Sequence, residues 1–166
     1  MSEAPNYSDT HLRTILGRTR TIALVGVSPN PVRPSNYVAR YLSTRGYRVI
    51  PVNPGHVGKT MFGAPIVESL SAIPASEGPI HMVDIFRRAE HAGAVVDEAL
   101  TVLLPRGLQT IWMQIGVIDT EAAKRAEEKG VDVVMDRCPK LEHQRLHGEL
   151  RKAGFNTGRI SARLPR

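Results

Sequence analysis

The chain has one cysteine in 166 residues, Cys138, which excludes an internal disulfide and leaves too few thiols for a structural zinc site. No uninterrupted apolar run approaches the ~20 residues that a membrane-spanning helix needs. The opening MSEAPNYSDTHLRTIL carries acidic residues and lacks the apolar core of a signal peptide. These absences together lead to the expectation of a cytoplasmic protein with no membrane association. Aromatic residues make up only 5%, so base-stacking platforms for single-stranded nucleic acid are thin. Acidic charge is also short: the formal net charge is +6, but the basic residues are scattered and form no block. That balance suits a small polyanionic ligand better than nucleic acid. Hydrophobic content of 42% and charged content of 23% are those of a globular domain. The length suits one domain, with its core over residues 10–146 and a peripheral leader and tail.

The pattern of elements follows from periodicity. Leu12, Ile15 and Leu16 share one helical face, with Ser8 or Asp9 as the cap and Gly17 as the stop. This helix is expected over a sheet edge. Residues 21–27 form a strand that is apolar on both faces, as in a central parallel strand. A loop over residues 26–34 leads into a helix capped by Ser35, with Val38, Tyr41 and Leu42 on its apolar face and Gly46 behind it. A second strand covers residues 47–52. After a glycine-punctuated stretch come strands at 81–86, 109–113 and 131–135. The helix between the first two carries Ala92, Val95, Val96, Ala99, Leu100 and Leu103. The next is capped by Asp119 or Thr120 and stopped by Gly130. A charged helix follows from about Lys140 to Ala153, and a loose tail runs to Arg166. Strands alternating with helices predict an α/β, Rossmann-like, doubly wound sheet, mainly parallel, of five strands with helices on both faces.

Ligands of such sheets bind beyond the carboxyl ends of the strands. Gly26, Val27 and Ser28 follow the first strand, then Arg33 and Ser35. Asn53 and Pro54 follow Val52, Arg87 follows Phe86, and Gln114 follows the fourth strand. A glycine for close approach, hydroxyl donors, an arginine fork and a helix N-terminus together favour a phosphate. The dinucleotide fingerprint GxGxxG is absent, and so is the acidic residue that would hold a ribose at the end of the second strand. Asn53 stands there between Val52 and Pro54. Arg33, Arg40, His56, Lys59 and Arg87 suit a ligand with several phosphates.

The blocks VGVSPNPVRPSNYVARYL, GYRVIPVNP, GKTMFG, VDIFRR, IWMQIGV and VVMDRCPK, in this order, resemble the small stand-alone CoA-binding domain proteins. They are similar to the N-terminal CoA-binding domain of the succinyl-CoA synthetase alpha subunit. The resemblance implies a Rossmann-like fold that binds coenzyme A. Its pyrophosphate would lie at Gly26, Val27 and Ser28 and at the helix near Ser35, with Arg33 nearby. Its adenosine would lie against Val52, Asn53 and Pro54, with Phe86 and Arg87 alongside, and its pantetheine arm would run toward Gln114. The phosphohistidine domain and the nucleotide-binding subunit of the synthetase have no counterpart in this length of chain.

The expectation is therefore a protein that binds CoA or an acyl-CoA as a carrier, sensor or regulatory module, with no catalytic residue and no metal assigned. The alternatives are a subunit-like part of an acyl-CoA ligase or transferase acting with a separate chain, and an NAD(P)-binding redox protein. A protein partner or a homo-oligomer stays open. Arg137 beside Cys138 can lower a thiol pKa, although a packed, inert cysteine is favoured. His143 and His147, four apart, have metal-ligand spacing, but a solvated helix face is the expectation. Asp84 reads as a buried, hydrogen-bonded carboxylate, and Trp112 and Met113 as core.

Overall fold

The structure, a computed structural model, describes residues 5–149. Helix α1 (Asp9–Arg18) starts at Ser8, whose hydroxyl accepts the His11 N–H. Gly17 lies inside this helix, because Arg18 still fits and the Thr19 hydroxyl donates back to the Ile15 carbonyl. Strand β1 (Thr21–Val25) is buried throughout. Helix α2 (Pro34–Thr44) and strand β2 (Arg48–Val52) follow. The irregular stretch contains a small antiparallel hairpin, β3 (Thr60–Met61) and β4 (Ala64–Pro65), and three short 3₁₀ turns. Just past it, the Val67 N–H donates to Pro51 and its carbonyl accepts the Asn53 N–H. The free edge of β2 is thereby covered. Strand β5 (Met82–Ile85), helix α3 (Ala89–Val102), strand β6 (Thr110–Met113), helix α4 (Thr120–Glu128), strand β7 (Asp132–Val134) and helix α5 (Pro139–Leu146) complete the order. Asp119 caps α4 through its side chain. The expected continuation of the last helix to Ala153, and the tail beyond it, lie outside the described residues.

The main sheet runs β2-β1-β5-β6-β7, all parallel. Counting only its five strands, this is the order 2-1-3-4-5 of a doubly wound fold, with the reversal between β1 and β5. Side chains alternate across the sheet. Ala23, Val25, Val83, Ile85, Ile111 and Met113 face α3 and α4. Ile22, Leu24, Met82, Trp112 and Val134 face α1, α2 and α5. Helix α1 buries Leu12, Ile15 and Leu16 in this second layer, and Arg18 at its end pairs with Asp132 of the edge strand β7.

Asp84 falls in phase with the second set, so a carboxyl group stands in an apolar layer between Leu24 and Trp112. The register also aligns the strand exits. Val25 pairs with both Val52 and Ile85, and Ile85 pairs with Met113. Gly26, Asn53, Phe86 and Gln114 are therefore the next residues along one edge.

Candidate functional site

The loop after β1 is held by the chain itself. The Gly26 N–H donates to the Val52 carbonyl at 2.9 Å. Gly26 has φ +88°, and a Cβ there would collide with the Phe86 carbonyl oxygen. Only glycine fits both demands. Asn53 ties this loop to the turn after β2. Its Nδ2 donates to the Val27 carbonyl at 2.8 Å, and its Oδ1 accepts the Gly55 N–H at 2.9 Å. Both ends of that side chain are committed to backbone, so Asn53 acts here as a strut.

Helix α2 begins differently from the expectation. Arg33 is the N-cap residue and makes no side-chain cap, while Pro34 takes the first helical position. Proline suits that position because its missing N–H would have no partner there. Ser35 is displaced into the first turn, where its Oγ accepts the Ser28 N–H at 2.9 Å. Ser28 Oγ accepts the Asn30 N–H, and Asn36 Nδ2 donates to the Ser28 carbonyl. The loop is thus preorganised, and the hydroxyl protons of Ser28 and Ser35 remain to be donated.

Gly26, Ser28, Arg33, Pro34, Ser35, His56 and Phe86 surround a depression of about 370 Å³ at the sheet edge. His56 forms part of this wall, and its Nδ1, turned into the protein, has no hydrogen-bond partner among the described residues. A second cavity, of about 310 Å³, lies between α2 and α5 and shares Pro34 and Phe86 with the first. Its walls are mainly apolar, with Tyr37, Val38, Ile115 and Leu141, and Gln114, Cys138 and Lys140 add polar groups.

The predicted residues therefore divide. Gly26, Ser28, Arg33, Ser35 and Phe86 line the first cavity, and Phe86 and Gln114 line the second. Arg87 leans over Gly26, its Cδ 3.2 Å from where a Cβ would stand. Val27 and Val52 are buried in the core and offer only backbone. Asn53 and Pro54 stay beside the cavities. Lys59 and Arg40 line neither, and Arg40 reaches back to Asn36 on its own helix. His56 belongs with the site more firmly than its sequence context signals, since a lone histidine after Asn-Pro-Gly carries no motif.

Beneath Gln114 lies Asp84, fully buried. Gln114 Nε2 stands 3.3 Å from each carboxylate oxygen. Burial pushes this carboxyl up to about 8, and the hydrogen bond from Gln114 offsets only part of that. Cys138 is buried as well, and desolvation raises its thiol to about 11. Arg137 does not activate it. That guanidinium donates to the Asp136 and Pro5 carbonyls and stacks over Tyr7.

His143 corrects the expected solvated face. It is 7% exposed, bonded to the Tyr41 hydroxyl at 2.7 Å and stacked on His147 with ring centroids 3.9 Å apart. Burial lowers its pKa. Among the described residues no group of three or more potential metal ligands gathers, and no helix is long and apolar enough to cross a membrane.

A doubly wound parallel sheet with a glycine turn, hydroxyls and an arginine at its switch point defines a Rossmann-like ligand-binding domain. Residues 20–144 match the CoA binding domain family, and the chain belongs to that family. The uncharacterized protein YneT of Bacillus subtilis (strain 168) is 37% identical over 138 residues, covering 83% of this chain and 96% of YneT. A hypothetical protein from Pyrococcus horikoshii OT3 has a solved structure that is 36% identical, with TM-score 0.77, covering 89% of this chain and all of that one. The fold extends to the dinucleotide forming acetyl-coenzyme A synthetase 1 of Ca. Korarchaeum cryptofilum, at 19% identity and TM-score 0.56. That match covers 74% of this chain but only 27% of the synthetase, and it is a likeness of fold alone.

Proposed function

We propose that this chain binds coenzyme A or an acyl-CoA, and that it carries, senses or presents the ligand without turning it over. The observation that carries this reading is the pair of adjoining cavities, one polar and cationic, the other mainly apolar, meeting at Pro34 and Phe86. CoA has the same succession of parts: a phosphorylated nucleotide and a long, weakly polar arm.

The residues fit the group. Gly26 allows close backbone approach, and the first turn of α2 presents N–H groups and a positive dipole end. Ser28, Ser35 and Arg33 supply donors, and His56 stands in the same wall. The polyphosphate is assigned to Gly26, Val27, Ser28, Arg33 and Ser35. The adenosine is assigned to the edge formed by Val52, Asn53 and Pro54 with Phe86 and Arg87, and the arm to the cavity ending at Gln114. CoA would bring a thiol or thioester to that end, and the chain's own part is to bind it, orient it and shield it from water. Nothing in the apolar cavity offers an activated nucleophile, since Cys138 is held as a thiol.

Calorimetry with CoA, dephospho-CoA and NADP tests the reading. Saturable binding of CoA, weaker binding of dephospho-CoA and no competition by NADP are expected. Failure of CoA to bind at millimolar concentration refutes it. Co-purification of a second chain with acyl-CoA-forming activity would replace the solitary carrier by a subunit of such an enzyme.

A further inference from the structure

The buried carboxyl of Asp84 has one hydrogen-bond partner among the described residues, Gln114, and no cation beside it. Its register neighbours, Leu24 and Trp112, are core residues. Around this layer, α1 turns inward Leu12, Ile15 and Leu16. Helix α2 brings Tyr37 and Tyr41, Cys138 stands at the N-cap of α5, and α5 brings Lys140. Lys140 lies near the Tyr41 ring and Gln144, and its effect is felt at Cys138.

Gln114 is 6% exposed, and what it shows of itself lies in the wall of the apolar cavity. One terminal atom of its carboxamide faces both Asp84 oxygens at 3.3 Å, which leaves the other for a ligand. An amide can turn over without moving its neighbours, exchanging a donor for an acceptor at each place. An ionised Asp84 only accepts, so it draws Nε2 and leaves Oε1 to the cavity. A neutral Asp84 must donate its proton, and Gln114 Oε1 is the acceptor it has, so Nε2 then turns to the cavity.

We propose that Gln114 is the specificity-determining residue for the group attached to the ligand's sulfur, with the ionisation state of Asp84 deciding whether a donor or an acceptor is offered. This rests on the CoA reading of the two cavities. In neutral solution the donor is presented and the cavity selects a thioester, whose carbonyl accepts. In alkaline solution the acceptor is presented and that selection is lost. The raised carboxyl of Asp84 sets the changeover near pH 8.

The test compares acetyl-CoA with S-ethyl-CoA, a thioether that lacks the carbonyl and has no thiol to titrate. Their affinity ratio, measured by calorimetry from pH 6.5 to pH 9.5, cancels the titration of groups elsewhere in the site. Acetyl-CoA is expected to bind about fivefold tighter at pH 6.5, the worth of one hydrogen bond, with the preference vanishing by pH 9.5. Asp84→Asn should make the ratio independent of pH, and Gln114→Leu should bring it to one throughout. Thermal unfolding checks that both variants fold, and the wild-type series stands without them. A flat wild-type ratio with tight CoA binding overturns the proposal alone, as does a ratio that still moves with pH in Asp84→Asn. Absence of binding by CoA and both analogues overturns the CoA reading and this proposal with it.

Discussion

Replacing Asp84 by asparagine removes a titration that the fold has displaced further than an ordinary carboxylate. In the unfolded chain this group releases its proton near 3.8, and in the folded chain burial holds the proton to about 8. Between those values the folded state binds one proton more than the unfolded state, so stability falls as pH rises. The contribution is fully present below 3.8 and is lost by about 8. Each pH unit in that window is worth about 1.4 kcal/mol, so about 4 units amount to roughly 6 kcal/mol. That is a large part of the stability of a single domain. Asparagine has nearly the same shape, pairs with the Gln114 amide and has no proton to lose. Its advantage over the wild type should therefore grow with pH, by roughly 4 kcal/mol between pH 5 and pH 8, and level off above. Urea unfolding read through the fluorescence of Trp112, the single tryptophan, measures the difference at each pH. Parallel curves for the two proteins would show that Asp84 titrates normally and would refute the argument from burial.

Other expectations concern the loop and the packed helices. Gly26→Ala should lose CoA binding and destabilise the fold by roughly 2–3 kcal/mol, because a β-carbon meets the Phe86 carbonyl at positive φ; denaturation and calorimetry together check it. Tyr41→Phe should cost about 1–2 kcal/mol by leaving the buried His143 Nδ1 without its partner, read from urea midpoints. Iodoacetamide at pH 7.5 should label Cys138 far more slowly than a free thiol, since the group is buried and raised to about 11; intact mass against time decides it.

The strands were legible because parallel strands covered on both faces read as mainly apolar runs; Thr21–Val25 is of that kind, and Met82–Ile85 departs from it only at Asp84. Their order along the chain was enough to place Gly26, Phe86 and Gln114 at strand exits. Other features depend on partners remote in sequence. Ser35 looked like a cap, but Pro34 claims the first helical position and turns the serine to Ser28. His143 looked solvated because its neighbours in sequence are charged, yet Tyr41, 102 residues earlier, buries it. Arg137 stands beside Cys138 in sequence, but Pro5 and Tyr7 hold its guanidinium elsewhere, in keeping with the packed, inert cysteine that the sequence favours. The two cavities meeting at Pro34 and Phe86 leave no periodic trace, since their walls come from loops and helix ends of different units.

The first helix also constrains how the molecule can be made. Its seat is supplied by the last elements of the sheet. Arg18 pairs with Asp132 at 2.6 Å, Arg145 pairs with Asp9, and the Tyr7 hydroxyl accepts the Met135 N–H. On a ribosome, α1 emerges before β7 and α5 and must wait for them before it can dock, carrying Leu12, Ile15 and Leu16 uncovered in the meantime. A helix made before every strand of the sheet is thus sheltered only when the last of them arrives. Nascent chains halted before residue 132 should be open to protease within residues 9–18, and chains released at full length should not.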